Sequence, residues 1–243
     1  MARVTKNKLL SGAISNLVFR NVDGLQVVQS LPDKVKQTSR TKESGSEFRT
    51  CSTWAKKLRW NLSAFLMQQT DTYMYRRLTG ALYHAIRNNT AMLKGTRTPL
   101  NSDTSGIVGF DFNSHSPFRE NFLPELNVVL NEDRQVVVSV PELCSKEALI
   151  YPKRYYHAEL LVFVTATSLQ LNAPKEEAYV VFELPYAPTL QPMRHWTSPV
   201  LGEGQWVVVT AKVLFYKTDQ FVAKNYVNSA AFSPAMVLFS GHT

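Results

Sequence analysis

The spacing of apolar residues changes once along this chain, and that change constrains the fold more than any other feature. Between residues 54 and 86, apolar side chains recur at helical spacing, as in Trp54, Leu58 and Leu62. From about residue 106 they recur with a period of two, in short runs separated by turn-forming residues. The order predicts an α+β protein in which helices precede a sheet domain.

The helical segment is interrupted once. Thr70-Asp71-Thr72 breaks the apolar stripe and offers a new N-cap, after which the pattern resumes as far as Asn88. Ser52 or Thr53 offers the first N-cap. Residues 51–95 are therefore predicted to form a helical hairpin, with one kinked helix as the alternative.

The β-rich segment, residues 105–243, contains seven apolar runs with the spacing of strands. The candidate strands are 106–112, 126–130, 135–140, 157–170, 178–185, 205–216 and 234–239. Asn131-Glu132-Asp133-Arg134 is typical of a hairpin turn between the second and third. Strands joined by proline-containing connections predict an antiparallel β-sandwich of about seven strands with immunoglobulin-like architecture.

Residues 1–50 are predicted to form a basic arm that carries a β-hairpin. Asp23-Gly24 suits the tight turn, because glycine adopts positive φ at little cost. Four apolar residues are predicted to share one face of the hairpin: Leu17, Phe19, Leu25 and Val27. Residues 33–50 are polar and basic without a period, which indicates a connecting arm. A two-stranded ribbon is marginal in water, so we expect it to pack on another surface.

Charge is divided by position. Residues 1–100 hold seventeen Lys and Arg against five Asp and Glu, a net charge of +12, whereas residues 101–243 have a net charge of −4. Between Arg49 and Lys94 the only acidic residue is Asp71, although an ordinary solvated helix mixes both signs. The pattern predicts a partner that is a neighbouring copy or an acidic protein, with nucleic acid as the alternative.

A second basic cluster, Lys153-Arg154-Tyr155-Tyr156-His157, interleaves cations with aromatic rings as single-strand-binding proteins do. A strand end whose aromatic rings cover the sheet edge would have the same composition. The cations predicted to contact a partner are Lys34, Lys36, Arg40, Lys42, Lys56, Arg59, Arg76, Arg77, Arg87, Lys153 and Arg154. The alternative is that the helical members only solvate an outer face.

Motifs of catalysis and metal binding are not found in the sequence. The five histidines make no pair with metal-ligand spacing, and no phosphate-binding glycine loop or nucleophile elbow is present. Ser114-His115-Ser116 lies beside Asp111, but catalytic triads are assembled from separate parts of a fold, so these residues indicate a turn. We expect no catalytic residue, cofactor or metal.

Cys51 and Cys144 lie far apart and suit no zinc or redox motif, so the expectation is two free thiols, with one disulfide as the alternative. Polar residues between 11 and 16 interrupt the first apolar run, which argues against a cleaved signal peptide. No stretch approaches the ~20 apolar residues of a membrane span. A protein synthesised into the cytoplasm is expected, with later release in a particle as the alternative.

The front half resembles a family of small basic proteins from Bacteroidota that begin with a hairpin. The stretches that carry the resemblance are Phe19–Pro32, Ser39–Ser44, Ser46-Glu47-Phe48, Arg76-Arg77-Leu78-Thr79 and Gly109–Asn113. The resemblance implies a hairpin, a helix pair and a β-rich second half, and it supplies no activity or catalytic residue. Arg49 departs from the family, in which a small residue is expected.

Together these features predict a non-enzymatic structural or assembly protein whose basic N-terminal arm docks on a neighbouring subunit or an acidic partner. A nucleic-acid-binding protein is the first alternative, with the arm and the helical cations on phosphates. An enzyme is the second, because active sites can be built from residues that no local motif reveals.

Overall fold

A computed structural model describes residues 2–6, 8–22, 24–31, 36–152, 156–168, 175–218 and 223–243. The chain divides into two compact units, residues 1–42 and residues 43–243, which are described in turn. The protein combines helices with antiparallel sheets, as the α+β prediction requires.

The first unit contains a four-stranded antiparallel meander. Its strands, adjacent in chain order, are β1 (Arg3–Val4), β2 (Leu10–Ile14), β3 (Leu17–Val22) and β4 (Leu25–Ser30). Val22 pairs with Leu25 across a two-residue turn in which Gly24 has a φ of +84°. The predicted hairpin is therefore confirmed, and two further strands extend it.

The predicted face of this hairpin is wrong. Phe19 lies opposite Val28, and Val27 lies opposite Arg20. Directly opposed residues share a face, so Leu17 and Phe19 lie on one side of the sheet whereas Leu25 and Val27 lie on the other. A two-residue turn pairs even-numbered residues of β3 with odd-numbered residues of β4, and the prediction missed this one-residue offset.

Among the described residues, three α-helices come next in the chain and two more follow later, and three of the five are single turns of four residues. They are α1 (Ser39–Asn61), α2 (Ser63–Leu66), α3 (Met74–Arg87), α4 (Phe118–Asn121) and α5 (Ser145–Ala148). The break predicted at residues 70–72 is confirmed, because it lies between α2 and α3. The arm predicted over residues 33–50 is wrong from Ser39 onward, where α1 begins.

Ten strands lie in the described part of the second unit. They are β5 (Asn127–Leu130), β6 (Val136–Val140), β7 (Leu143–Cys144), β8 (His157–Thr167), β9 (Glu176–Leu184), β10 (Leu190–Gln191), β11 (Arg194–Thr197), β12 (Trp206–Lys217), β13 (Asn225–Tyr226) and β14 (Ala235–His242). The largest sheet has the order β9-β8-β12, and β12 pairs on its other side with both β13 and β14. A second sheet has the order β11-β6-β5, and β7 pairs with β10.

The two long central strands are buried on both faces. Even-numbered residues of β8, such as Val162, pack with β6 in one core, whereas Leu161 and Phe163 pack with α1, α2 and α3 in the other. In β12, Val209 faces the first core and Val208 the second. The large sheet therefore lies between a helical layer and a smaller sheet, and the immunoglobulin-like sandwich is not confirmed.

The strand predicted over residues 106–112 is wrong. Ser105–Ile107 forms a 3₁₀ turn, and Asp111 makes an isolated bridge to Met236. The other six predicted runs coincide with β5, β6, β8, β9, β12 and β14. Both cysteines are free thiols, Cys51 buried and Cys144 half-buried. Within the described ranges, no helix is long and apolar enough to cross a membrane.

Candidate docking surfaces

The N-terminal sheet lacks a core of its own. No described residue of its four strands is buried, and apolar side chains are exposed on both of its faces. Leu25 is 71% exposed on one face and Val28 is 49% exposed on the other. A single layer that leaves this much apolar surface in water gains little free energy from burial.

One edge of this sheet is open to pairing. Leu31 donates its N–H to the carbonyl of Asn16, which places the odd-numbered residues of β4 in hydrogen bonds with β3. The N–H and C=O groups of Gln26, Val28 and Ser30 therefore point away from β3. Among the described strands β4 pairs only with β3, and all six of its residues are exposed.

The opposite edge is protected. β1 contains only Arg3 and Val4, and the turn that follows it carries Lys6 and Lys8. Short strands and lysine side chains are the usual devices that prevent edge-to-edge pairing. β4 has no charged residue, so its edge offers a template for another strand whereas the β1 edge does not.

A second exposed surface lies on the helical layer of residues 43–243. Lys56 and Arg59 lie on α1 and Arg76 lies on α3, all three exposed. None of them forms an ion pair with a carboxylate in the part of the chain that the structure describes. These three of the predicted helical cations therefore face solvent without a carboxylate partner among the described residues.

Three aromatic rings lie among these cations. Trp60 is 74% exposed, Tyr73 is 59% exposed and Tyr75 is 45% exposed. The Arg76 guanidinium lies 5.5 Å from the Tyr73 ring centroid and 5.6 Å from that of Tyr75, and Arg59 lies 5.9 Å from Tyr75. We call Lys56, Arg59, Trp60, Tyr73, Tyr75 and Arg76 the cation–aromatic surface. The partner-contact residues predicted from the sequence do not include the three rings, although all three lie outside the apolar face of their helices.

Two grooves lie beside α1. Residues of α1, α2 and α3 line one of about 230 Å³, and residues of α1 and α3 line the other of about 320 Å³. Trp60, Met74 and Leu66 line the smaller one, and Tyr75 and Thr79 line the larger one. Lys56 and Arg59 line both grooves, and we call this shared border the ridge. A ligand lying across the ridge would meet cations at its centre and an aromatic ring on either side.

Arg77 was predicted to contact a partner, but it is engaged within the protein. It pairs with Asp71 and also donates to the carbonyl of Asp111 at 2.9 Å. Burial alone would raise the pKa of Asp71, but hydrogen bonds from the Ser114 N–H and from Arg77 hold it below its usual range. Arg77 therefore closes a structural ion pair instead of extending the cation–aromatic surface.

The remaining predicted cations are divided between exposed and undescribed positions. Arg87 is exposed in the last turn of α3, 5.4 Å from the ring of Tyr83. Lys36, Arg40 and Lys42 are exposed before and within the first turn of α1. Lys34, Lys153 and Arg154 lie outside the described residues.

The cluster considered for hydrolysis has the geometry of a turn. The Asp111 carboxylate accepts the N–H of Phe118 at 2.8 Å, and the Asn113 side chain accepts the N–H of His115 at 3.0 Å. Burial raises the pKa of Asp111. Across the described ranges, no group of three or more His, Cys, Asp or Glu side chains could hold a metal ion.

Comparison with known proteins gives no relative: no family model, curated protein or solved structure matches the chain.

Proposed function

We propose that this chain is an assembly protein whose N-terminal sheet joins a second copy through the open edge of β4. The observation that carries the proposal is the unprotected, uncharged edge of a sheet in which no described residue is buried. Two such edges placed antiparallel would form one continuous eight-stranded sheet across a two-fold axis.

The register of β4 supports pairing with an identical strand. The outward groups come from Gln26, Val28 and Ser30, which are spaced evenly about Val28. In an antiparallel pair centred on Val28, Gln26 of one copy faces Ser30 of the other, so every outward N–H meets a carbonyl. No charged side chain of β4 opposes another along the interface.

Charge predicts how salt acts on this assembly. Residues 1–42 hold eight Lys and Arg against two Asp, a net charge of +6. Two copies joined at β4 bring these charges together, so salt should strengthen the dimer by screening the repulsion. A head-to-tail contact between the basic residues 1–100 of one copy and the acidic residues 101–243 of another would respond in the opposite direction, because salt would weaken it.

The test measures molar mass by size-exclusion chromatography with light scattering at low and high salt. The full chain should elute at twice its 27.5 kDa mass, more completely at high salt. Val28→Pro should be monomeric, because it removes an outward N–H while leaving the hydrogen bonds between β3 and β4 in place. Val28→Thr is the matched control and should dimerise, since it keeps both the N–H and the branched β-carbon.

Two results would overturn the proposal. A full chain that stays monomeric at all salt and protein concentrations would show that the edge is not used for self-association. A Val28→Pro protein that dimerises as well as the unmodified chain would place the contact elsewhere. Circular dichroism of both variants checks that residues 43–243 keep their fold.

A further inference from the structure

The cation–aromatic surface combines two features that one class of ligand satisfies together. Arg59 and Arg76 both lie within 6 Å of the Tyr75 ring centroid, so two like charges are held near one another. Arg76 is also fixed by a hydrogen bond from its Nε to the Tyr75 hydroxyl at 2.9 Å. An anion placed between the guanidinium groups would relieve their repulsion.

The exposed aromatic rings indicate which class of polyanion this surface would bind. Trp60 exposes most of an apolar ring next to Lys56 and Arg59, in a groove that it helps to line. A carboxylate-rich protein segment would use the cations but has no use for a flat exposed ring. Nucleobases stack on such rings, and they can do so only when they are not already stacked inside a duplex.

We propose that the cation–aromatic surface binds single-stranded nucleic acid. Phosphates lie on the ridge formed by Lys56 and Arg59 and reach Arg76 on α3. A base stacks on Trp60 in the smaller groove, and a second base lies against Tyr75 in the larger one. The surface belongs to residues 43–243, so this proposal does not depend on pairing at β4.

Fluorescence anisotropy of a labelled oligothymidylate of about 15 nucleotides, titrated with the full chain, measures the binding. The dissociation constant should rise with salt, and the same sequence as a duplex should bind more weakly. Trp60→Ala should weaken binding about tenfold, which corresponds to ~1.4 kcal/mol for the loss of one stacked base. The control is Tyr179→Ala, which removes a ring 67% exposed on β9 and should leave binding unchanged.

Two triple substitutions that remove the same charge distinguish binding at a defined site from general electrostatic attraction to the basic chain. Changing Lys56, Arg59 and Arg76 together to Ala should reduce the slope of log Kd against log salt by about 2, at ~0.7 for each phosphate that is no longer neutralised. The matched control replaces three exposed cations of residues 101–243: Arg119, Lys146 and Lys217. It removes the same charge and should leave the slope unchanged.

Four results with oligonucleotides would overturn the proposal, and a fifth comes from competition. They are absence of oligonucleotide binding at low salt, equal loss of binding in both triple variants, equal affinity for the duplex, and unchanged affinity in Trp60→Ala. Competition by polyglutamate as effective as unlabelled oligonucleotide would assign the surface to an acidic protein instead. Val28→Pro should bind the oligonucleotide with the same slope of log Kd against log salt per chain. This result would keep the test of binding separate from the test of assembly.

Discussion

Lys212 is fully buried in the middle of β12, and it forms no ion pair with a carboxylate among the described residues. Its ammonium group donates to the carbonyls of Phe65 and Leu66 at 3.2 Å and to the Gln69 side chain at 2.8 Å. The lysine therefore caps the C-terminal end of α2, where the Leu66 carbonyl also accepts the Gln69 N–H at 2.9 Å. Gln69 also donates to the carbonyl of Asn228, which ties the loop after α2 to the sheet domain.

The buried lysine predicts a pH dependence of stability. Burial lowers the pKa of Lys212 from 10.5 to about 8, so between these values the unfolded chain binds a proton that the folded chain lacks. Its contribution to the free energy of unfolding should therefore rise with pH through this window, by on the order of 3 kcal/mol, and stay flat below pH 8. Urea denaturation at several pH values measures it as the difference between the unmodified protein and Lys212→Met.

Other groups titrate in both proteins and cancel from that difference. The exposed Lys217 lies on the same strand, and Lys217→Met should track the unmodified protein at every pH. A difference between the unmodified protein and Lys212→Met that does not change across the window would mean that the lysine keeps its proton in the folded state.

At the scale of elements, the N-terminal part of α1 depends on contacts that are distant in sequence. Glu47 is fully buried, and its carboxylate accepts the N–H of Gly95 at 2.8 Å and lies 3.8 Å from the Arg97 side chain. The Phe48 ring packs edge-on against Tyr83 at 5.6 Å. Residues 39–50 have no apolar period, so these contacts stabilise a helix that the local pattern does not predict.

Glu47→Ala should destabilise this part of the helix. The change leaves the Gly95 N–H without its acceptor, so the protein should lose about 1–3 kcal/mol of stability. Amides of residues 43–50 should exchange with deuterium faster than in the unmodified protein, as measured by mass spectrometry of peptides. Ser46→Ala, an exposed neighbour, is the control, and unchanged exchange in Glu47→Ala would show that the helix stands without this anchor.

Features that depend on residues close together in the sequence could be predicted, whereas features that depend on distant residues could not. The long runs at β8 and β12 and the break between α2 and α3 are local signals, so they could be predicted. Burial of β8 and β12 on both faces was missed, although their nearly continuous apolar character is what such strands require. In the proposed binding surfaces, the cations are recognisable in the sequence as charge, whereas Trp60 is distinguished only by its exposure beside Arg59.

At the scale of the whole molecule, the helical layer and the small sheet share one central sheet. Leu82 of α3 and Val208 of β12 belong to the same core, and Val209 lies in the core on the opposite face. β8 and β12 contribute side chains to both cores, so a change in either core acts on these two strands. This predicts that residues 51–95 do not unfold separately from the β-rich part of residues 43–243.

Leu82→Ala tests this coupling because Leu82 is fully buried in the helical layer. The cavity should cost about 2–4 kcal/mol, and it should lower the urea midpoint seen by far-ultraviolet circular dichroism and by tryptophan fluorescence equally. The fluorescence reports on both layers, since Trp54 of α1 lies 6.0 Å from Trp206 of β12. Leu93→Ala removes an exposed leucine and should shift neither midpoint. Two separated transitions in Leu82→Ala, with the fluorescence change confined to the first, would show that the helices form a layer that melts by itself.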